Sequence, residues 1–159
     1  MNQPYHHIPC PSFPGKLYLS DINGLDHLNE LNIHYIISLF PVLENIIIPT
    51  NIKHDEFNIT DRDDITTLNK MNEILDTINT KIHSFLLNNQ NVLVHCMAGV
   101  SRSATVVCDF LCKYETTLLN KHNLTNNLSE ASIQYVRKFR EKINPNPGFI
   151  KLLKNRNSL

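Results

Sequence analysis

A cysteine and an arginine, two residues that can do chemistry together, lie six positions apart in the segment "NVLVHCMAGVSRSAT", residues 91–105. The apolar residues before the cysteine predict a buried strand, and those after Ser101 recur at helical spacing. A strand, a tight loop that contains Gly99 and a helix start together direct successive backbone N–H groups at an anion. The sequence therefore predicts an anion-binding loop between this strand and helix.

The loop suits phosphate in particular, because its two reactive side chains have complementary roles. Arg102 carries a planar fork that can bind two phosphate oxygens at once. Cys96 lies where the loop N–H groups, the helix N-terminus and the guanidinium all favour a thiolate, the form of cysteine that attacks. We expect Cys96 to attack phosphorus while the loop holds the oxygens. The residues expected to bind phosphate are Met97, Ala98, Gly99, Val100, Ser101 and Arg102.

This segment also resembles the signature of a known family. Its core, "VHCMAGVSRSAT", resembles the His-Cys-x5-Arg-Ser motif of the cysteine-dependent protein phosphatases, specifically of the small dual-specificity branch. The likeness extends over most of the chain, since "GKLYLSDINGL" resembles the opening strand of that branch and "INPNPGF" resembles its Pro-Asn-x-x-Phe segment. An asparagine-rich stretch before Ser129 is longer than is usual in the family.

The resemblance implies both an activity and a domain organisation. The implied activity is hydrolysis of phosphotyrosine and of phosphoserine or phosphothreonine in proteins, through a cysteinyl-phosphate intermediate. The resemblance further implies one catalytic domain over residues 1–159, with residues 1–15 as an N-terminal extension. It implies no cofactor and no metal, and a phosphorylated protein as the partner.

Three further residues take their expected roles from the resemblance. Ser103 resembles the serine whose hydroxyl stabilises the cysteine thiolate as it leaves the phospho-enzyme. His95 resembles the histidine that orders the loop, and we expect it to be buried. Asn146 resembles an asparagine that supports the active-site loops, although a simple turn residue between two prolines would look the same in sequence.

The family also supplies an aspartic acid that gives a proton to the leaving oxygen, and "FNITDRDDI" offers three candidates, Asp61, Asp63 and Asp64. In the family, apolar helix positions follow the acid by 10, 14 and 17 residues. Counted from Asp61, those positions are Met71, Leu75 and Ile78. Asp61 lies 35 residues before Cys96, slightly farther than is usual in the family. Asp61 is therefore the preferred acid, with Asp64 and then Asp63 as alternatives.

Composition disfavours several classes of partner. The 15 lysines and arginines balance the 15 aspartates and glutamates, so no global positive field attracts nucleic acid or an anionic membrane. The first residues, "MNQPYHHIPCPSFPGK", lack the basic start and apolar core of a signal peptide. No stretch approaches the roughly 18 apolar residues of a membrane span. We expect an intracellular protein, in the cytoplasm or the nucleus, that binds neither membranes nor nucleic acid.

The cysteines and histidines show no metal-ligand spacing. There is no Cys-x-x-Cys pair, and the eight histidines are scattered along the chain. Disulfides are not expected in a chain of this size without a secretory signal. Cys108 and Cys112 are four residues apart in a predicted helix, so we expect both on one face as small buried side chains.

Strand and helix patterns alternate, which predicts an α/β fold. We expect a single layered domain with a central, mostly parallel, twisted sheet of about five strands flanked by helices. Strands are predicted over "GKLYLSD", "IHYIISLF", "NIIIP", "IKHDEFNI" and "NVLVHC". Helices are predicted over "LDHLNELN", residues 66–88, residues 101–114, the segment that begins with Ser129 as its cap, and "GFIKLLKN". The stretch "TTLLNKHNLTNNLSE" is predicted to be an irregular connection.

Three other functions are related to the same motif, and this chain departs from the sequence pattern of each. RNA 5′-phosphatases and triphosphatases share the fold but usually carry Thr-His after the cysteine, where this chain has Met97 and Ala98. A catalytically silent phosphate-binding scaffold usually loses the cysteine or the arginine, and this chain retains both. A phosphoinositide phosphatase would carry extra basic residues inside the loop, and none is present between Cys96 and Arg102.

Overall fold

The structure, a computed structural model, describes residues 3–42, 44–121 and 127–158. A five-stranded sheet runs through the centre, with its strands in the spatial order β1-β2-β5-β3-β4. The β1 strand pairs antiparallel with β2, and all other neighbours are parallel. The expected central, mostly parallel sheet of five strands flanked by helices is confirmed. The strands are β1 (Tyr5–Ile8), β2 (Leu17–Ser20), β3 (Ile33–Ser38), β4 (Lys53–Glu56) and β5 (Asn91–His95).

Five α-helices pack on one face of the sheet, and a short 3₁₀ helix, Ile22–His27, packs on the other. Among the described residues no helix is long and apolar enough to cross a membrane. The helices are α1 (Ile65–Leu87), α2 (Arg102–Tyr114), α3 (Thr116–Lys121), α4 (Leu128–Arg137) and α5 (Pro147–Arg156).

The central position of β5 in the sheet explains why its residues 92–94 are all apolar. Side chains alternate between the two faces of a strand. Val92 and Val94 pack in the large core with the helices, whereas Leu93 packs in a smaller core with Leu25 of the 3₁₀ helix. Because both faces of β5 are covered, every position from 92 to 94 must be apolar. The strand ends at His95, so the loop that follows it lies at the carboxyl edge of the sheet.

Three local predictions are wrong. The "NIIIP" segment, residues 45–49, forms a turn and irregular chain, because its apolar side chains Ile46 and Ile48 cover the smaller core as a loop. The connection after α2 is partly helical, since α3 buries Leu119 against the large core. The cap of α4 is Asn127, whose Oδ1 accepts from the Glu130 N–H. Residues 122–126 of the predicted irregular stretch lie outside the described residues.

The N-terminal residues add a strand that the sequence analysis does not predict. The β1 strand pairs with β2 in the register Ile8 to Leu17, and Ile8 is fully buried. The preceding backbone is also held, because the carbonyl of Pro4 accepts from the Asp21 N–H at 3.0 Å. Residues 3–8 therefore lie against the elements that border the loop after β5.

Arg140, just after α4, connects this N-terminal segment to that loop. It is fully buried and is the largest fully buried side chain in the described chain. Its Nε donates to the Gly99 carbonyl at 2.9 Å, and its Nη2 lies 3.4 Å from the Ala98 carbonyl. Its Nη1 donates to the Pro4 carbonyl at 3.1 Å and lies 2.9 Å from His6 Nδ1. One guanidinium thus satisfies carbonyls from two distant parts of the chain.

Gly99 is required at its position by this arrangement. Its φ is +65°, in the left-handed region that residues with a Cβ rarely adopt. A Cβ on Gly99 would lie 2.5 Å from Arg140 Nη2 and 2.7 Å from the Asp21 nitrogen. No side chain fits there, so Arg140 can lie this close to the loop backbone only because residue 99 is a glycine.

Replacing Arg140 with methionine should destabilise the protein strongly. The substitution removes a fully buried guanidinium and the donors of the Gly99, Ala98 and Pro4 carbonyls, and each buried group left without its partner costs about 1–3 kcal/mol. We expect a decrease of about 3 kcal/mol or more in the free energy of unfolding, measured by urea denaturation. The matched control is Arg137→Met in α4, where an exposed arginine loses one contact with the Ile143 carbonyl. Equal effects of the two substitutions would contradict the assigned role of Arg140.

Candidate active site

The loop after β5 is held by its own carbonyl groups, which all bind the surrounding protein. Met97 O accepts from the Ile22 N–H at 3.2 Å, and Val100 O accepts from the Asn144 N–H at 2.7 Å. The two carbonyls between them, of Ala98 and Gly99, accept from the Arg140 guanidinium. Cys96 O lies 3.4 Å from His95 Nδ1. Ser101 O accepts from the N–H and hydroxyl of Thr105, at 2.9 and 2.8 Å.

The outward carbonyls determine where the N–H groups point. In a trans peptide unit the N–H of one residue points opposite to the carbonyl of the residue before it. All six carbonyls from Cys96 to Ser101 are engaged, so six successive N–H groups are directed away from those partners and towards the inside of the loop. These N–H groups belong to Met97, Ala98, Gly99, Val100, Ser101 and Arg102, the same six residues predicted to bind phosphate. Such a concave set of donors favours an anion.

Cys96 lies at the base of this loop. Its side chain is 2 % exposed, and its Sγ is 3.1 Å from the hydroxyl oxygen of Ser103 in the first turn of α2. The N-terminus of α2, which begins at Arg102, carries a partial positive charge that favours a negative group in front of it. The predicted pairing of Cys96 with Ser103 is therefore present as a direct contact.

The other three cysteines have a different environment. All four cysteines are free, and Cys10, Cys108 and Cys112 are buried in the large core. Burial raises the pKa of the Cys112 thiol to about 12, and it raises the pKa values of Cys10 and Cys108 further. These three side chains are protonated and apolar at neutral pH. The expectation that Cys108 and Cys112 are core residues agrees with this burial.

Among the described residues, one nitrogen of the Arg102 guanidinium group is hydrogen-bonded and another has no partner. Its Nη1 donates to the Ile59 carbonyl at 3.0 Å, and its guanidinium carbon lies 5.7 Å from the centre of the Phe40 ring. Its Nε is buried and has no hydrogen-bond partner among the described residues. A buried N–H without a partner is costly, so this donor is suited to an oxygen of a bound phosphate.

His95 is buried under the loop, as the sequence predicts. It is fully buried, and its ring lies edge-on to Phe40 with the ring centres 5.4 Å apart. Burial lowers the pKa of His95 to about 4, and the neighbouring His54 and Arg102 act in the same direction. The imidazole is therefore neutral at physiological pH. Its contact with the Cys96 carbonyl makes it a support of the loop.

Asp61 contacts the loop directly, and its partners come from two other elements. Its Oδ1 accepts from the Ser101 hydroxyl at 2.6 Å and from Asn146 Nδ2 at 2.9 Å. Asn146 also caps α5, since its Oδ1 accepts from the Phe149 N–H, and its own N–H donates to the Ser101 hydroxyl. Asn146 thus caps α5 and also contacts Ser101 and Asp61, and its role as a support of the active-site loops stays a prediction.

The other two candidate acids have different surroundings. Asp64 is the N-cap of α1, with its Oδ1 accepting from the Thr67 N–H and its Oδ2 in an ion pair with Arg62. These donors lower the pKa of Asp64, the Thr67 contacts most of all. Asp63 lies beside Gly148, where its Cβ would be 2.7 Å from a Cβ on that glycine. Among the three, Asp61 is the carboxylate that the structure brings to the loop.

Sequence reasoning missed several residues that build this site. Arg140 could have been suspected, because it follows Ile133 and Val136 by seven and four residues and so continues an apolar helical face. Phe40 and the Ile59 carbonyl, which orient Arg102, carry no local signal. No group of three or more histidine, cysteine, aspartate or glutamate side chains within the described ranges could hold a metal ion.

Comparisons with known proteins identify the family of this chain. Residues 17–158 match the family described as the dual specificity phosphatase catalytic domain. Protein 123R of Invertebrate iridescent virus 6, named as a tyrosine phosphatase, is 35% identical over 140 residues, covering 87% of this chain and 84% of the viral protein. Mouse dual specificity protein phosphatase 14 is 45% identical over 74 residues, covering 46% of this chain and 32% of the mouse protein.

Solved structures show the same fold. The Yvh1 phosphatase domain from Chaetomium thermophilum has a TM-score of 0.77 at 23% identity, covering 95% of this chain and 94% of that one. Human DUSP28 has a TM-score of 0.76 at 19% identity, covering 99% and 95%. The family match spans most of the chain and includes the loop, Asp61 and Asn146. The chain therefore belongs to the dual specificity phosphatase family of protein phosphatases.

Proposed function

We propose that this chain is an active dual-specificity phosphatase that hydrolyses phosphotyrosine and phosphoserine or phosphothreonine in proteins through a cysteinyl-phosphate intermediate. The observation that carries the proposal is the loop in which all six carbonyls from Cys96 to Ser101 bind outward. The backbone N–H groups of residues 97–102 are therefore left to hold the equatorial oxygens of a transferring phosphoryl group.

In the first step the Cys96 thiolate attacks phosphorus. A phosphorus–sulfur bond forms as the bond from phosphorus to the ester oxygen of the substrate breaks. The partly free fork of Arg102 binds phosphate oxygens during the transfer, and its planar shape fits two of them at once. The electron pair leaves with the ester oxygen, which needs a proton when it belongs to tyrosine, serine or threonine.

Asp61 supplies that proton. Both donors, Ser101 and Asn146, contact Oδ1, and within the described chain Oδ2 accepts no hydrogen bond. The proton of the neutral acid is therefore carried by Oδ2, which is free to give it to the leaving oxygen. The Asp61 side chain lies in an exposed position, so it reaches the substrate from the solvent side of the loop.

In the second step water hydrolyses the cysteinyl-phosphate. Asp61, now ionised, accepts a proton from the attacking water, the phosphorus–sulfur bond breaks and inorganic phosphate leaves. The Ser103 hydroxyl, 3.1 Å from Cys96 Sγ, donates a hydrogen bond to the departing thiolate. This contact favours the second step, because sulfur leaves more readily as its developing charge is stabilised.

A panel of substrates tests the proposed activity and its class. We would compare a phosphotyrosine peptide, a phosphothreonine peptide, an RNA 5′-triphosphate and a phosphoinositide by phosphate release. Hydrolysis of both peptides, unaffected by a chelator, is the expected result. Preference for the RNA or the lipid would replace the proposed substrate class, and a need for added metal would contradict the cysteine mechanism. Binding of the peptides without turnover would instead favour the silent scaffold.

Cys96 and Arg102 should be separately essential. Cys96→Ser should abolish turnover but keep binding, because an alkoxide is much harder to generate than a thiolate and the N–H groups remain. Arg102→Lys should lose nearly as much kcat as Arg102→Ala, since lysine offers a point charge in place of a planar fork. Both are measured on an aryl phosphate. Turnover by Cys96→Ser within about tenfold of the native rate would contradict the mechanism.

Replacing Asp61 with asparagine should slow substrates in proportion to their need for a proton. General acids contribute about 10²–10⁴-fold, so release of oxygens of high pKa should fall within that range. Activated aryl phosphates, whose leaving groups need no proton, should be affected much less. The measurement is the slope of log rate against leaving-group pKa, which should steepen.

The matched controls for this test are the two neighbouring carboxylates. Asp63→Asn and Asp64→Asn should leave the slope unchanged. Asp64 binds Thr67 and Arg62, and among the described residues neither carboxylate has a hydrogen bond to the loop, unlike Asp61. Asp64→Asn can lower stability, since Asp64 caps α1, but an asparagine also caps helices well. A steeper slope in Asp64→Asn with a normal slope in Asp61→Asn would move the acid to position 64.

A further inference from the structure

A single hydroxyl on β3 connects two histidines below the candidate active site. Ser38 Oγ lies 2.6 Å from His95 Nε2 and 2.8 Å from His54 Nε2. Ser38 and His95 are fully buried, whereas His54, on the edge strand β4, is partly exposed. The three side chains form a continuous path from the sheet edge to the residue before Cys96.

Counting protons determines the direction of these hydrogen bonds. The Cys96 carbonyl can only accept, so His95 Nδ1 carries a hydrogen and donates to it. His95 is neutral, because its pKa lies near 4, so its Nε2 carries no hydrogen and accepts. The single Ser38 hydrogen therefore goes to His95 Nε2. The same oxygen must then accept from His54, whose Nε2 carries a hydrogen.

We propose that His54 is a positioning residue, which fixes the Ser38 hydroxyl and through it the ring tautomer of His95 that holds the Cys96 carbonyl. The contribution to turnover rests on the proposed phosphatase function, but the effect on the loop does not. Without the His54 donor, the Ser38 hydroxyl is no longer anchored and can turn away from His95. The Cys96 peptide then loses part of the support that keeps the next N–H, of Met97, directed into the loop.

The arrangement does not depend on whether His54 is charged. Protonation of His54 adds a hydrogen at Nδ1 and leaves the Nε2 donor in place. Glu56 shares the sheet face of His54 by strand alternation, and its Oε1 accepts from the Val42 N–H. Lys53 and Asp55 lie on the opposite face, where Asp55 binds Lys81. Arg102 approaches His95 from α2.

The decisive comparison is between His54→Gln and His54→Leu. A glutamine side-chain amide can place an N–H donor where His54 Nε2 was, and leucine cannot. The readouts are the rate of Cys96 alkylation by iodoacetate at about pH 6, kcat and KM on an aryl phosphate, and the urea midpoint. His7→Leu, an exposed histidine on the opposite edge strand β1, is the control.

We expect His54→Leu to lower both the alkylation rate and kcat by about threefold to tenfold with little change in KM, as for loss of one supporting hydrogen bond. His54→Gln should restore both values to within about twofold of the native protein. Native rates in a folded His54→Leu variant, or equal losses in the two variants, would overturn the proposal. Alkylation needs no substrate, so it tests this path even if the phosphatase proposal fails.

A second measurement tests the proton positions without any substitution. Two-bond nitrogen–proton NMR spectra of the imidazoles distinguish the two neutral ring tautomers. The native protein should show His95 protonated at Nδ1 and unprotonated at Nε2, with a hydrogen on Nε2 of His54. A His95 ring protonated at Nε2 would overturn the proposal, because Ser38 would then have to donate elsewhere.

Discussion

The structure depends on one constraint, which is that the carbonyls of the loop after β5 must all find partners outside the loop. Buried carbonyls without donors are costly, and a loop of this shape cannot satisfy its own. The donors come from parts of the chain that are far apart in sequence: Arg140 after α4, Asn144 before α5, and Ile22 at the 3₁₀ helix. Each of these contacts fixes one peptide plane. The inward direction of the N–H groups depends on all of these hydrogen bonds together, and no single donor residue accounts for it.

The same constraint explains why the candidate acid is where it is. Ser101 is the last loop residue before α2, and its hydroxyl accepts from the Asn146 N–H and donates to Asp61. Asp61, Ser101 and Asn146 therefore bring together the segments before α1, α2 and α5. Because Asn146 also caps α5, a shift of that helix would move the amide that holds the acid. The candidate acid is positioned by residues at the starts of the helices that surround the loop.

The parts of the fold that could be predicted from sequence are those with a local cause. Strands β3 and β5 are apolar at residues 35–37 and 92–94 because both their faces are covered there. Helix α1 keeps Met71, Leu75 and Ile78 on one buried face. The loop between β5 and α2 could be predicted because a strand, a glycine and a helix start are adjacent in the chain, whereas phosphate binding by its six residues stays a prediction. The pairing of β1, the burial of Arg140 and the contact between Ser38 and His54 could not. These depend on segments brought together only by folding. The helical spacing of Arg140 from Ile133 and Val136 indicates the face on which it lies, but not its partners at Gly99 and Pro4.

The two halves of the proposed chemistry rest on different kinds of structure. The proposed oxyanion-binding loop is held through its backbone carbonyls, each of which has a hydrogen-bond partner in the surrounding protein. Asp61 lies in exposed, irregular chain, and within the described residues its hydrogen bonds are made through one carboxylate oxygen only. We therefore expect the proposed phosphate binding and the proposed proton transfer to be separable by substitution. A change at residue 61 can remove the second and leave the first, whereas a change at Arg140 removes the support on which both depend.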